Sequence, residues 1–357
     1  MSKKYWREYT AETEAKHAVL KQYLGTFGKV LGRRAGALFY IDGFAGKGRH
    51  DTGEEGSPLI AMRVADELAR KGLAPMHLAF IEADPANYGS LVKEVTELQN
   101  QLSSVRSPIL RHGKFEDEIF DVLQQGPRGR GATFLFVDPF GYSDIPMNLI
   151  VELAKDRWRE LFITFMSRHL NWFMSDETKD ETRDRVFDSP EWRNCKSQDD
   201  LVRLYARILQ TRLHTLGCTT YVFPFEVAVS SSQGLYHLLH VCHDPKGREA
   251  MEKAVYSAGK LRAWQSGSQA LLTNPQIEKE ILEQLRLQPD QGALELAGAL
   301  WLQETFWLMT WRGDFALALR NLENQGLVEI YRRVDKPKRR KGSQPNADLD
   351  RVRLLQH

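Results

Sequence analysis

A chain of 357 residues with 42% apolar side chains has room for two domains and a sizeable core. Its formal charge of +2 excludes nucleic-acid binding through bulk charge, so any such function must lie in local clusters. Cys195, Cys218 and Cys242 share no CxxC spacing, and no apolar run reaches the roughly 18 residues of a membrane span, so a cytoplasmic chain with reduced thiols and no membrane partner is expected.

Helical spacing of Ala15, Val19, Leu20, Tyr23, Leu24 and Phe27 predicts a first helix over about Ala11 to Leu31. The run ALFYID reads as a strand stopped by glycines, followed by a helix from near Ser57 to Lys71. MHLAFIEAD is a second strand, Pro85 to Leu102 a helix, SPILRHGKF a weaker strand and Glu116 to Gln125 a helix. ATFLFVDPF is the strongest apolar strand, followed by a helix over Ile145 to Lys155 and the strand ELFITFM. Such alternation predicts βαβ units around a parallel sheet with right-handed crossovers.

The polar text from about Asn171 to Trp192 suggests an inserted helical arm within about 171–199, and Asp200 to Leu216 a long helix. Thr219 to Val229 and Leu235 to His243, joined by SSSQG, predict an antiparallel hairpin. A parallel sheet ending in such a hairpin points to a Rossmann-like class I methyltransferase sheet over residues 1–265. A helix over Pro245 to Trp264 and a linker, SGSQALLTNP, precede helices at Gln276 to Leu287, Leu294 to Gln303 and Asp314 to Gln325. Two strands around a basic loop follow, which is the order of a winged helix-turn-helix domain over residues 266–357.

The turn Asp42-Gly43-Phe44-Ala45-Gly46-Lys47-Gly48 leaves the first strand with an acid followed by small residues. Glycines let a backbone approach a ligand closely, and the spacing is not the GxGxxG of dinucleotide sites. It suits S-adenosylmethionine; the plain alternative is a tight strand-to-helix connection. Glu82 ends the second strand, where an acid accepts hydrogen bonds from ribose hydroxyls. The neighbouring Asp84, before Pro85, better suits a helix cap. Glu116 could receive an adenine amino group or merely open its helix.

Asp138-Pro139-Phe140-Gly141-Tyr142 follows the strongest strand. An acid and a backbone carbonyl there can hold a target amine with its lone pair directed at a methyl group, with Phe140 or Tyr142 stacking on a flipped base. A proline-containing strand exit is the plain alternative. Asp42, Glu82 and Asp138 around Mg²⁺ would make a nuclease, but the glycines would then lack a purpose. The histidines show no ligand spacing with the cysteines, and no metal site is expected. Arg332, Arg333, Lys336, Lys338, Arg339, Arg340 and Lys341 would lie along a phosphate backbone if the loop is a wing.

In this order, KHAVLKQYL, YIDGFAGKGRH, GSPLIAM, FIEAD, FVDPFGY and YHLLHVCHDPKGREAM resemble the three-Cys-motif partner (TcmP) proteins over most of the chain. The resemblance implies a methyltransferase-like domain, a winged helix and association with a radical-SAM protein carrying a three-cysteine motif. More distantly, the chain is similar to ribosomal-RNA adenine-N6 methyltransferases of the DPPY type. By motif position, His17, Asp42, Gly46, Ser57 and Glu82 would then line the cofactor site and Asp138 would hold the amine, with RNA a better expectation than DNA. DPFGY departs from DPPY, and a catalytically inactive adaptor is the rival expectation.

Overall fold

Thr10 starts the first helix, α1 (Ala11–Leu31): its hydroxyl accepts the amide of Thr13 at 3.3 Å, and Glu12 and Glu14 lie at the positive end of the helix dipole. The computed structural model describes residues 6, 8–33, 35–127, 131–139, 145–165, 180–226, 237–258, 262–263, 274–303, 305–332, 337 and 339–355. Strands and helices then alternate as β1 (Ala37–Asp42), α2 (Ser57–Arg70), β2 (Met76–Glu82), α3 (Pro85–Gln99), β3 (Ile109–His112) and α4 (Phe115–Gln125). The series continues with β4 (Gly131–Val137), α5 (Met147–Ala154), β5 (Arg159–Phe165), α6 (Asp180–Phe187) and α7 (Gln198–Thr215). Asp84 caps α3 as the sequence predicts, accepting the amides of Ala86 and Asn87 at 3.0 and 2.9 Å.

These strands form a mixed sheet in the order β3-β2-β1-β4-β5-β7-β6-β8, with β6 (Tyr221–Glu226), β7 (His237–Cys242) and β8 (Arg262–Ala263) completing it. The first five are mutually parallel; β7 runs antiparallel to β5, and β6 antiparallel to β7. The expected hairpin is therefore present, although its connecting residues 227–236 lie outside the described residues.

Alternating strand residues feed two cores, one on each face. Tyr40, Phe80, Phe134 and Phe162 pack with α1, α2, α3 and α8 (Pro245–Ala258), while Ile41, Ile81, Leu135 and Ile163 pack with α4, α5, α6 and α7. The helix predicted to reach Trp264 ends at Ala258. Residues 259–261 and 264 lie outside the described residues, and Arg262–Ala263 pairs as a short strand with β6.

The C-terminal segment contains α9 (Asn274–Leu287), β9 (Asp290–Gly292), α10 (Ala293–Trp301), a π-turn over Trp311–Phe315, α11 (Ala316–Asn324), β10 (Val328–Arg332) and β11 (Asp350–Leu354). Its strands make a separate antiparallel sheet, β10-β11-β9. Strand β9 has three residues, too few for a readable alternation. The core of this unit includes Tyr221 and Cys242 of the large sheet. Arg248, fully buried, lies between the rings of Phe223 (4.6 Å) and Trp301 (4.4 Å) and donates to the Met309 carbonyl at 3.1 Å. Glu252 accepts the amides of Trp311 and Arg312 at 2.9 and 3.2 Å. Because Cys242 ends β7 and Tyr221 begins β6, the unit docks at the edge where the parallel strands begin. Among the described residues, no helix is long and apolar enough to cross a membrane.

Candidate functional site

The carboxyl ends of β1, β2 and β4 bring three acids to one edge and one face of the sheet. Asp42 pairs in register with Phe80 and Phe136, so Glu82 and Asp138 each stand two residues beyond it on adjoining strands. All three are buried, at 0%, 2% and 7% exposure respectively. Side chains two residues apart share a face, and Tyr40, Phe80 and Phe136 place this one on the α1 side.

The glycine turn is pinned between two strands. Gly43 donates to the Phe136 carbonyl and Ala45 to the Ile81 carbonyl, both at 2.9 Å. Gly46 and Gly48 have φ of 65° and 86°, which side chains with a Cβ rarely adopt. At Gly43 the restriction is spatial: a Cβ would lie 2.6 Å from the Phe115 ring. Phe44 packs on that same ring at 5.3 Å.

Asp42 accepts hydrogen bonds from the Phe44 amide (3.2 Å), the Tyr40 hydroxyl (3.3 Å) and the Ser57 hydroxyl at the start of α2. Burial nevertheless raises its carboxyl to about 7. Glu82 takes the amides of Gly46 and Asp84, both at 2.7 Å, and burial raises it too. The acid after β2 thus fastens the turn after β1. Half-buried Glu116 occupies the first turn of α4, beyond β3.

At the third acid, α1 supplies a cation that motif reading did not identify. Lys16 Nζ is ion-paired to Asp138 Oδ2, with both side chains buried. Among the described residues, Oδ1 has no hydrogen-bond partner. His17 turns toward Tyr9, whose hydroxyl lies 3.1 Å from Nδ1, and toward the His50 ring at 6.2 Å. Burial holds His17 well below the usual imidazole range and His50 at about 4, so both are neutral at pH 7. Pro139 is buried; Phe140 and Tyr142 lie outside the described residues.

The arrangement provides a glycine cradle, two desolvated carboxyls suited to a cationic or hydroxyl-bearing ligand, and a third carboxylate whose Oδ1 is unpaired among the described residues. Among the described residues, no group of three or more His, Cys, Asp or Glu side chains is placed to hold a metal ion.

The basic run divides. Arg332 is paired with Asp350 at 2.6 Å, and Arg339, 1% exposed at its side chain, is paired with Glu323 (2.5 Å) and Asp350 (3.5 Å). These two charges are used within the fold. Arg340 and Lys341 are exposed, while Arg333, Lys336 and Lys338 lie outside the described residues.

No protein-family model matches the chain, and no curated protein does. Solved structures that resemble it include a Legionella pneumophila protein of family DUF519, 11% identical over 70% of this chain and 94% of that one, with a TM-score of 0.40. An O-methyltransferase from Bacillus cereus in complex with SAH is 12% identical over 66% and 83%, with a TM-score of 0.36. TomG, an O-methyltransferase of tomaymycin synthesis from Streptomyces achromogenes in complex with SAM, is 13% identical over 68% and 99%, with a TM-score of 0.34. Likenesses this slight carry no inference, and the chain's own geometry must supply it.

Proposed function

We propose that this chain is an S-adenosylmethionine-dependent methyltransferase acting on an exocyclic amine of a nucleic acid, with RNA preferred to DNA. The observation that carries the proposal is the line of Glu82, Asp42 and Asp138 on three adjoining strand ends beside the Gly46 turn, in a sheet closed by an antiparallel hairpin. The cofactor supplies an electrophilic methyl group on a positively charged sulfur, whose departure leaves the bonding pair on that sulfur.

The cradle fits such a group. Gly46 and Gly48 keep the turn low, Glu82 offers its carboxylate to ribose hydroxyls, and Asp42 gains a cationic counterpart that desolvation otherwise denies it. Asp138 Oδ1 accepts an N–H of the acceptor and orients its nitrogen, while Lys16 compensates the buried charge. The C-terminal unit, read as a winged helix, anchors the polymer through Arg340 and Lys341. It docks at the strand-start edge, opposite the carboxyl strand ends that carry Asp138, so docking unit and acceptor belong to different edges of the sheet. That separation favours a polymer over a mononucleotide. A partner protein of the radical-SAM type belongs to the same proposal only through the family resemblance.

Isothermal titration with S-adenosylmethionine tests the cofactor. Micromolar binding that weakens in Glu82→Ala is expected; no binding at millimolar concentration would end the methyltransferase reading. A second reading, an inactive methyltransferase-like adaptor, is favoured by the Phe140-Gly141 departure at the acceptor motif. It predicts cofactor binding without transfer.

A further inference from the structure

A buried hydroxyl stands beside the site on the next strand. Thr164, the sixth residue of β5, is 4% exposed, and among the described residues its Oγ1 has no hydrogen-bond partner. Leaving a buried hydroxyl unpaired costs folding free energy, and such groups are uncommon. Two other buried hydroxyls are paired: Thr310 Oγ1 donates to Asp314 at 2.8 Å, and the Ser57 hydroxyl serves Asp42.

The position of Thr164 relates it to the site. Val137 of β4 pairs in register with Ile163 of β5, so one further step along both strands puts Asp138 beside Thr164. Parallel neighbours stand about 4.8 Å apart. Phe136 and Phe162 lie in the α1-side core, and the residues two further on, Asp138 and Thr164, project to that same face. Thr164 thus extends the line of Glu82, Asp42 and Asp138 onto a fourth strand.

We propose that Thr164 Oγ1 is the second hydrogen-bond acceptor for the amine, taking one N–H while Asp138 Oδ1 takes the other. The proposal rests on the methyltransferase reading and names what its acceptor pocket selects. An amine with two hydrogens satisfies both oxygens at once, and holding both hydrogens fixes the direction of the nitrogen lone pair. A hydroxyl acceptor has one hydrogen, for Asp138 Oδ1, and can meet Thr164 only by accepting from the Thr164 hydroxyl, which ties up lone-pair density that the amine keeps free for the methyl group.

The test compares Thr164→Val, which keeps the shape and removes the hydroxyl, with Thr164→Ser, which retains it. Without ligand, Thr164→Val should melt at or above the wild-type temperature, because an unpaired buried hydroxyl has been removed. Its affinity for S-adenosylmethionine by titration should stay within about twofold. Its kcat/KM for methyl transfer to total cellular RNA should fall about tenfold or more, and Thr164→Ser should recover most of that loss. A melting temperature about 4 °C or more below wild type would mean that the hydroxyl serves the fold, and would overturn the proposal. So would unchanged transfer in Thr164→Val, or equal loss in both variants. Active wild type with an unaffected Thr164→Val removes the Thr164 role alone; wild type that binds cofactor and methylates no RNA removes the RNA methyltransferase reading and this role with it.

Discussion

Lys16 Nζ reaches Asp138 Oδ2 across 122 residues of sequence, and the two form a buried ion pair at the end of β4. Helix α1 is thereby an arm of the site as well as a cover for the sheet. Removing one partner of a buried pair strands the other charge, at a cost of about 3–5 kcal/mol. Lys16→Met and Asp138→Leu should each lose stability on that scale in denaturant unfolding. The double variant should regain most of the stability but no methyl transfer. Additive losses in the double variant would mean the two side chains do not act as a pair.

Asp42 gives a pH signature with a defined sign. Burial raises its folded-state carboxyl from an ordinary 3.8 to about 7, so between those values the folded chain holds a proton that the unfolded chain releases. The ligand-free protein should therefore lose stability as pH rises through that window. A cationic ligand favours the ionised carboxyl and displaces the proton. Affinity for S-adenosylmethionine should accordingly rise about tenfold from pH 6 to pH 8, and Asp42→Asn should flatten the profile. Titration calorimetry at both pH values checks this; a flat wild-type profile would contradict it.

The two kinds of arginine in the basic run should separate experimentally. Replacing Arg340 and Lys341 together by serine removes two exposed charges and should lower the slope of log affinity for RNA against log salt by about 2, with little change in melting. Arg339→Ser breaks a buried pair with Glu323 and Asp350, and should instead lower the melting temperature with a smaller effect on the slope.

Arg248 links the two units through its place between Phe223 and Trp301. Arg248→Ala leaves a void between the rings and frees the Met309 carbonyl of one donor, at a cost of about 3 kcal/mol. Scanning calorimetry should then resolve two transitions where the wild type shows one. A single transition shifted as a whole would mean that the units are coupled elsewhere.

What the sequence disclosed follows from which interactions are local. Apolar runs ending at Asp42, Glu82 and Asp138 specify strands and the acids at their tips, because strand periodicity and glycine punctuation are short-range signals. Lys16 carries no such signal; its role appears only when α1 lies across the sheet. The same holds for Arg332 and Arg339, which look like wing cations until Asp350 and Glu323 are brought beside them. Thr164 resembles any β-branched strand residue, and only the β4–β5 register sets it next to Asp138. Strands β8 and β9, of two and three residues, are too short for any pattern.

The most direct test is transfer of a radiolabelled methyl group from S-adenosylmethionine to total cellular RNA and DNA by wild type and Asp138→Asn. Label in RNA that is lost in Asp138→Asn, while that variant still binds the cofactor, is the predicted result. Wild-type protein that binds S-adenosylmethionine yet labels neither pool would contradict a nucleic-acid methyltransferase and leave the adaptor.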